Sequence, residues 1–187
     1  MKKPPKFDEL SALSRGIGPH AVLLPLSERE IEQRLTAMRT RYRSPDLAAD
    51  AVEEAFPGLL DFVFDVTQTT LEDVEAMFLE LVVVRASHVL KPPAGPAPAL
   101  DFERILRDFA GEFACVSKIM LGASKTSAAF ERWITDGPQP AVMQDLTTVL
   151  LTFVEQAPRK ERPRDEAILI ILACTKALVA ELARAPA

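Results

Sequence analysis

Cysteine and histidine are scarce in this sequence of 187 residues, which holds two of each. Two isolated cysteines, Cys115 and Cys174, make no disulfide framework, and both lie within apolar helical patterns. We therefore expect two buried thiols in a reducing compartment. The histidines, His20 and His88, belong to no HExxH or ExxH arrangement, whereas a metal site needs several converging ligands. The sequence predicts no metal site.

Long apolar runs are also missing. The longest run covers residues 167–174, whereas a membrane-spanning helix needs about 20 residues. The chain starts with basic residues, as a secretory signal does, but Pro4, Pro5 and Asp8 interrupt the apolar core that such a signal requires. We therefore expect a cytoplasmic protein that does not bind a membrane.

Motifs that carry chemistry are lacking too. Residues 16–21 (GIGPHA) have the letters of a dinucleotide-binding turn, but no strand precedes them and Pro19 interrupts them. No Gly-x-Ser-x-Gly pattern marks a nucleophile. Carboxylate pairs such as Asp61 and Asp65 have a spacing that is common on solvated helix faces. We expect no catalytic site, no cofactor and no enzymatic activity.

Apolar residues recur at helical spacing through most of the chain. Ser27 with Glu30 forms a capping box, and Ser44 followed by Pro45 starts a second helix. Residues 59–66 are rich in β-branched and aromatic side chains but have no partner strand, so we predict a short buried helix there. Further helices are expected over about 70–90, 101–121, 124–135, 138–156 and 165–184. The pattern predicts an all-α fold, a compact bundle of about seven helices with a non-repeat topology, whose last helix is buried on nearly all sides.

Proline marks the interruptions between these helices. Residues 1–26 have no stable periodicity, and we expect a flexible or partly packed arm. The stretch 91–99 (KPPAGPAPA) is too rich in proline to be helical. We expect residues 27–187 to form a single helical domain, and the alternative is a split into two lobes at 91–99.

Positive charge is missing from residues 44–84, which contain ten Asp and Glu residues and no Lys or Arg. Their counter-charge must come either from the basic helix that precedes them or from a basic partner. We expect the carboxylates for such a partner on the outer face of helix 70–90. They are Glu72, Asp73, Glu75 and Glu80.

Two alternative functions remain. Residues 121–134 are similar to the turn and second helix of a helix-turn-helix, in which four residues would face DNA. These are Lys125, Thr126, Ser127 and Arg132. The preceding helix is too long for such a unit and Glu131 dilutes the positive charge, so nucleic acid is not the expected partner. A further alternative is a small-molecule sensor with an apolar core pocket.

The hypothesis that these patterns favour is a non-enzymatic protein-interaction module. It would be an adaptor, a chaperone or a regulatory subunit, with a charge-segregated surface and a basic protein partner. We also expect the chain to form a homo-oligomer.

Overall fold

A computed structural model of the chain describes residues 23–68, 70–90, 99–121 and 126–184. Within these ranges the regular structure is eight α-helices without a strand. The helices are α1 (Glu28–Arg41), α2 (Pro45–Ala55), α3 (Leu59–Thr67), α4 (Asp73–Leu90), α5 (Phe102–Leu121), α6 (Thr126–Thr135), α7 (Pro140–Gln156) and α8 (Asp165–Leu182). The prediction of an all-α bundle is confirmed, with eight helices where about seven were expected.

Local sequence signals start the first two helices. The Ser27 hydroxyl accepts a hydrogen bond from the Glu30 backbone N–H at 3.3 Å, and the Glu30 carboxylate accepts one from the Ser27 backbone N–H at 2.8 Å. Ser44 caps α2, and Pro45 occupies its first turn. Each cap satisfies backbone donors that a helix leaves without an internal partner. Both predicted starts are confirmed.

Residues 59–66, whose β-branched and aromatic side chains also suit a strand, are helical and belong to α3. Gly58, at a φ of 79°, turns the chain in the left-handed region that glycine enters without a Cβ clash. The Glu53 carboxylate of α2 then accepts hydrogen bonds from the backbone N–H groups of Gly58 and Leu60. The predicted short helix is therefore confirmed, and a side chain from the previous helix satisfies its first donors. The expectation that it is buried is wrong for its outer side, where Phe64 is 57% exposed.

Helix α8 forms the centre of the bundle and contacts α4, α5 and α7. It is buried on nearly all sides, as predicted, and its buried residues include Lys176 and Glu181. Lys176 Nζ donates to the Trp133 carbonyl at 2.7 Å and lies 3.2 Å from a Glu112 carboxylate oxygen. Pairing of this kind is needed because a buried charge without a partner costs several kcal/mol.

Helix α5 lies along α8, and this neighbour changes its expected side-chain pairs. The i,i+4 spacing favours a pair between Arg104 and Asp108, but Arg104 Nε instead lies 3.1 Å from a carboxylate oxygen of Glu181 in α8. Asp108 lies 3.8 Å from Arg184, just beyond α8. These charges connect the two helices because both side chains point toward α8, which the spacing within α5 does not reveal.

The two cysteines have different environments. Cys174 is buried in α8, and desolvation raises the pKa of its thiol to about 12. Cys115 is exposed on α5. The expectation of two buried thiols is therefore wrong for Cys115, because only one side of α5 packs against α8.

Residues 23–26 are hydrogen-bonded to Gln139, just before α7, and to Ala183, just after α8. The buried Gln139 side chain accepts a hydrogen bond from the Leu26 backbone N–H and donates to the Leu23 and Leu24 carbonyls. The Leu23 N–H donates to the Ala183 carbonyl at 2.6 Å. The last part of the predicted arm is therefore packed, and residues 1–22 lie outside the described residues.

His88 links α4 to α2 in the interior. Its Nε2 lies 3.0 Å from the Ala48 carbonyl oxygen, and its ring lies 5.0 Å from the Tyr42 ring. A carbonyl oxygen only accepts, so Nε2 carries the proton. Burial lowers the pKa of His88 below its ordinary 6.5, although the bond to Ala48 acts in the opposite direction.

The buried His88 predicts an acid-sensitive fold. Since its folded-state pKa lies below 6.5, the unfolded chain takes up the proton first as the pH falls below that value. We expect the free energy of unfolding to fall from pH 7 toward the lowered pKa, and to fall less steeply in a His88→Gln variant. Urea unfolding at a series of pH values measures both slopes, and equal slopes would show that His88 contributes nothing to this pH dependence.

Candidate functional site

Helix α4 has two apolar faces, and the core covers only one of them. The buried face runs through Leu79, Val82, Ala86 and Val89. A second face is formed by exposed Val74 and by half-buried Phe78 and Leu81. It continues onto Met77, which is 67% exposed. An apolar face left open to solvent is a common property of interaction sites.

The second face of α4 forms one wall of a groove of about 410 Å³. Helix α2 supplies Pro45 and Ala49 to the groove, and the end of α7 supplies Phe153. On α4 the lining extends from Val74 to Val84. We call this feature the apolar groove. The small-molecule alternative predicted an apolar pocket in the bundle core, whereas this apolar space lies at the surface.

A second depression, of about 340 Å³, lies between α3 and α4. Exposed Phe64 and half-buried Leu60 line it from α3. The two depressions share Met77 and Glu80, which form the ridge between them. The apolar surface around this ridge is therefore continuous across four helices, α2, α3, α4 and α7.

The charged side chains that line the two depressions are all acidic. Asp46, Glu80 and Glu161 line the apolar groove, and Asp61 and Asp73 join Glu80 around the second depression. The lining residues of both include no Lys or Arg. Acidic groups around a concave apolar surface attract cations and repel anions, and so favour a basic ligand.

The four carboxylates predicted for a partner surface separate into two groups. Glu72, Asp73 and Glu80 are exposed, and Glu80 lies in both depressions. Glu72 lies 3.9 Å from Arg164 Nε and keeps 75% of its side chain exposed, so that pair is weak. These three carboxylates lie on the exposed face of α4, as expected.

Glu75 is not on the outer face, and that expectation is wrong. It is buried, and its carboxylate accepts four hydrogen bonds at 2.9–3.0 Å. Three come from Arg164, from its backbone N–H, Nε and one terminal nitrogen, and the fourth from the Glu72 backbone N–H. These contacts, with the Arg164 side-chain bonds foremost, hold the pKa of Glu75 at about 2. Glu75 therefore attaches the loop before α8 to the start of α4.

The basic helix α1 does not supply the counter-charge for Glu75. Arg39 lies 3.5 Å from Glu32 within α1, and Arg34 donates to the Val89 carbonyl at 2.5 Å near the end of α4. The counter-charge for Glu75 comes from Arg164, which is distant in sequence. The sequence does contain a sign that Glu75 is buried. Glu75 precedes Leu79 by four residues, so both lie on the same stripe of the helix, and Leu79 is apolar.

Of the four residues of the helix-turn-helix alternative, the two whose side chains the structure describes, Ser127 and Arg132, do not share one face of α6. Lys125 lies outside the described residues, and Thr126 begins α6. Ser127 and Arg132 are exposed, but five residues of α-helix place them about 140° apart around the axis. The Ser127 hydroxyl lies 3.4 Å from the Glu131 carboxylate, which is unfavourable beside a phosphate. Trp133 and Phe130 pack into or against the core.

Two other kinds of site, a metal centre and a membrane-spanning helix, find no support in the described residues. In the part of the chain that the structure describes, no three His, Cys, Asp or Glu side chains gather as metal ligands. None of the helices in those ranges has the length and apolarity to cross a bilayer. Comparison of the chain with protein-family models, with curated proteins and with solved structures gives no match in any of the three.

Proposed function

We propose that this protein is a non-enzymatic protein-interaction module, an adaptor, chaperone or regulatory subunit, that binds a basic amphipathic helix of a partner protein. The helix occupies the apolar groove between α2 and α4. The observation that carries this proposal is the combination of an open apolar surface with lining charges of one sign.

The dimensions of the groove suit a helix. Its α4 wall, from Val74 to Val84, spans about 15 Å, or nearly three helical turns. A helix of that length presents apolar residues at i, i+3, i+4 and i+7, the usual anchors for recognition in a groove. These anchors contact Met77, Phe78 and Leu81, while Lys or Arg residues beside them approach Glu80 and Glu161.

Acidic charge also argues against self-association through this groove. A second copy placed there symmetrically brings Asp46, Glu80 and Glu161 toward the same carboxylates of its partner. Like charges brought together at an interface cost several kcal/mol. The occupant is therefore a different chain that carries positive charge.

Two designed peptides test the groove directly. One is an amphipathic helix of about 18 residues, or five turns, with leucine on one face and lysine on the other. The other has glutamate in place of every lysine. We expect fluorescence anisotropy to show saturable binding of the lysine peptide alone. Met77→Ala should weaken this binding by about tenfold, or about 1.4 kcal/mol, because a few residues at the centre of an interface carry most of the binding free energy.

A pair of matched variants tests the charges. Glu80→Gln with Glu161→Gln removes two groove carboxylates, and Asp50→Asn with Glu54→Gln removes two exposed carboxylates of α2 that line neither depression. We expect the first pair to slow association and weaken its salt dependence, and the second pair to have a smaller effect.

Two results would contradict the proposal. Equal effects of the two pairs would mean that the lysine peptide responds only to net charge. Binding of uncharged apolar small molecules in the groove, with no binding of either peptide, would instead favour the sensor alternative.

A further inference from the structure

A cleft of about 260 Å³ lies between α1 and the last turns of α4. The charged side chains that line it are Arg34 and Arg41 of α1, and none of the described lining residues is Asp or Glu. The two arginines are seven positions apart, so they lie on one face of α1, about 10 Å apart along its axis. We call this feature the basic cleft. It attracts anions because its lining charges have one sign.

Contacts within the bundle place both arginines beside the cleft. One terminal nitrogen of Arg34 donates to the Val89 and Leu90 carbonyls at the end of α4, at 2.5 and 3.4 Å. That nitrogen carries two of the five N–H groups of the guanidinium, and the other three are on Nε and the second terminal nitrogen. The guanidinium carbon of Arg41 lies 5.4 Å from the centre of the Tyr42 ring. A planar guanidinium binds an oxyanion through paired N–H groups, so two of them form a strong anion site.

The nearest carboxylates of α1 have partners outside the cleft. Glu30 lies one turn before Arg34 on the same face, but its carboxylate accepts hydrogen bonds from the Ser27 hydroxyl at 2.6 Å and the Ser27 backbone N–H at 2.8 Å. Glu32 lies 3.5 Å from Arg39 on the opposite side of α1. Neither carboxylate lines the basic cleft, so the positive charge there is not cancelled by its own walls.

His88 adds a hydrogen-bond acceptor to the basic cleft. Its side chain belongs to the lining, although the residue is only 3% exposed. Because Nε2 donates its proton to the Ala48 carbonyl, Nδ1 presents a lone pair. Within the described residues no hydrogen bond reaches Nδ1, yet this nitrogen is not sealed from solvent. Nδ1 therefore opens into the cleft that His88 lines.

Two features keep Nδ1 an acceptor at neutral pH. The bond to Ala48 fixes the ring proton on Nε2. Burial first, and then the charge of Arg41, lower the pKa of His88 below its ordinary 6.5, so the ring is neutral at pH 7. A complementary ligand therefore presents negative oxygens to the arginines and a hydrogen-bond donor to Nδ1. Hydrogen phosphate carries both groups, whereas sulfate, of similar size and charge, carries no proton at pH 7.

We propose that the basic cleft binds hydrogen phosphate, or the phosphate of a small hydroxylated ester, with phosphate oxygens on Arg34 and Arg41 and an O–H group donating to Nδ1 of His88. The cleft has about 260 Å³ against about 30 Å³ for one water molecule, so it holds the five heavy atoms of a phosphate and a small group attached to it. This site is independent of the peptide proposal, because none of its lining residues lines the apolar groove.

Isothermal titration calorimetry of the wild-type chain with inorganic phosphate, at neutral pH and low ionic strength, tests the site. Sulfate is the matched anion. We expect saturable binding of phosphate and binding of sulfate that is weaker by about tenfold or more, because a sulfate oxygen leaves the buried Nδ1 lone pair without a donor. A third titration with glycerol 3-phosphate distinguishes the two sources of the group. Tighter binding than inorganic phosphate would identify an ester as the ligand, and weaker binding would identify free phosphate.

A pair of charge-matched variants locates the binding. Arg41→Gln removes a cleft charge and should weaken phosphate binding by about tenfold or more. Arg39→Gln removes the same charge from the opposite, exposed side of α1 and should change the affinity by less than about twofold. The comparison of phosphate with sulfate uses the wild-type chain, so it does not depend on how either variant folds. Absence of phosphate binding at millimolar concentrations, sulfate binding as tight as phosphate binding, or equal losses in the two variants would each overturn the proposal.

Discussion

Leu178→Ala and Leu172→Ala should each lower the free energy of unfolding by about 2–5 kcal/mol. Both side chains have no exposed surface, and both lie on α8, which neighbouring helices surround. Truncation removes the transfer free energy of the lost methyl groups and leaves a cavity that the packed helices cannot fill. Urea denaturation monitored by circular dichroism measures the loss as a shift of the midpoint at constant slope.

An exposed leucine provides the control for these two variants. Leu24 is 81% exposed, so Leu24→Ala should change the free energy of unfolding by no more than about 0.5 kcal/mol. If Leu172→Ala and Leu178→Ala unfold at the wild-type midpoint, α8 is not the central helix of the folded protein.

Glu75→Gln should lower the free energy of unfolding by about 1–3 kcal/mol at pH 7, because it removes a buried carboxylate that accepts four hydrogen bonds. We expect no larger loss because the Arg164 side chain is 54% exposed, and solvent screens its charge.

Glu75→Gln should also change how the free energy of unfolding responds to acid. The pKa of Glu75 is about 2 in the folded protein against an ordinary 4.5, so the unfolded chain takes up the proton first as the pH falls. Its contribution is therefore complete above pH 4.5 and is lost toward pH 2.

Glu72→Gln is the matched control, since Glu72 lies at the same end of α4 but is 75% exposed. Unfolding measured from pH 6 down to the acid limit of the native state should show a shallower loss of stability in Glu75→Gln than in the wild type. Glu72→Gln should follow the wild-type curve closely. A Glu75→Gln curve parallel to the wild-type curve would mean that Arg164 does not hold this carboxylate ionised.

Several elements follow from the sequence alone, because their causes are local. The capping box of Ser27 and Glu30 and the start of α2 at Ser44 depend on residues within four positions of each other. The burial of α8 follows from an apolar composition that leaves little polar surface on any side. The absence of Lys and Arg from residues 44–84 is likewise a property of the sequence, and this block supplies four of the five acidic side chains that line the two depressions.

Only the tertiary structure decided which side of each amphipathic helix is covered. Helix α4 is apolar on two faces, and composition cannot tell that Leu79 and Val82 lie in the core while Phe78 and Leu81 line a groove. Glu75 belongs to the buried stripe because Arg164, 89 residues away, supplies the donors that make its burial tolerable. The exposure of Cys115 has the same origin, since α8 covers one side of α5 only. A helical pattern specifies which residues share a face, whereas the neighbour that buries that face depends on how distant segments pack.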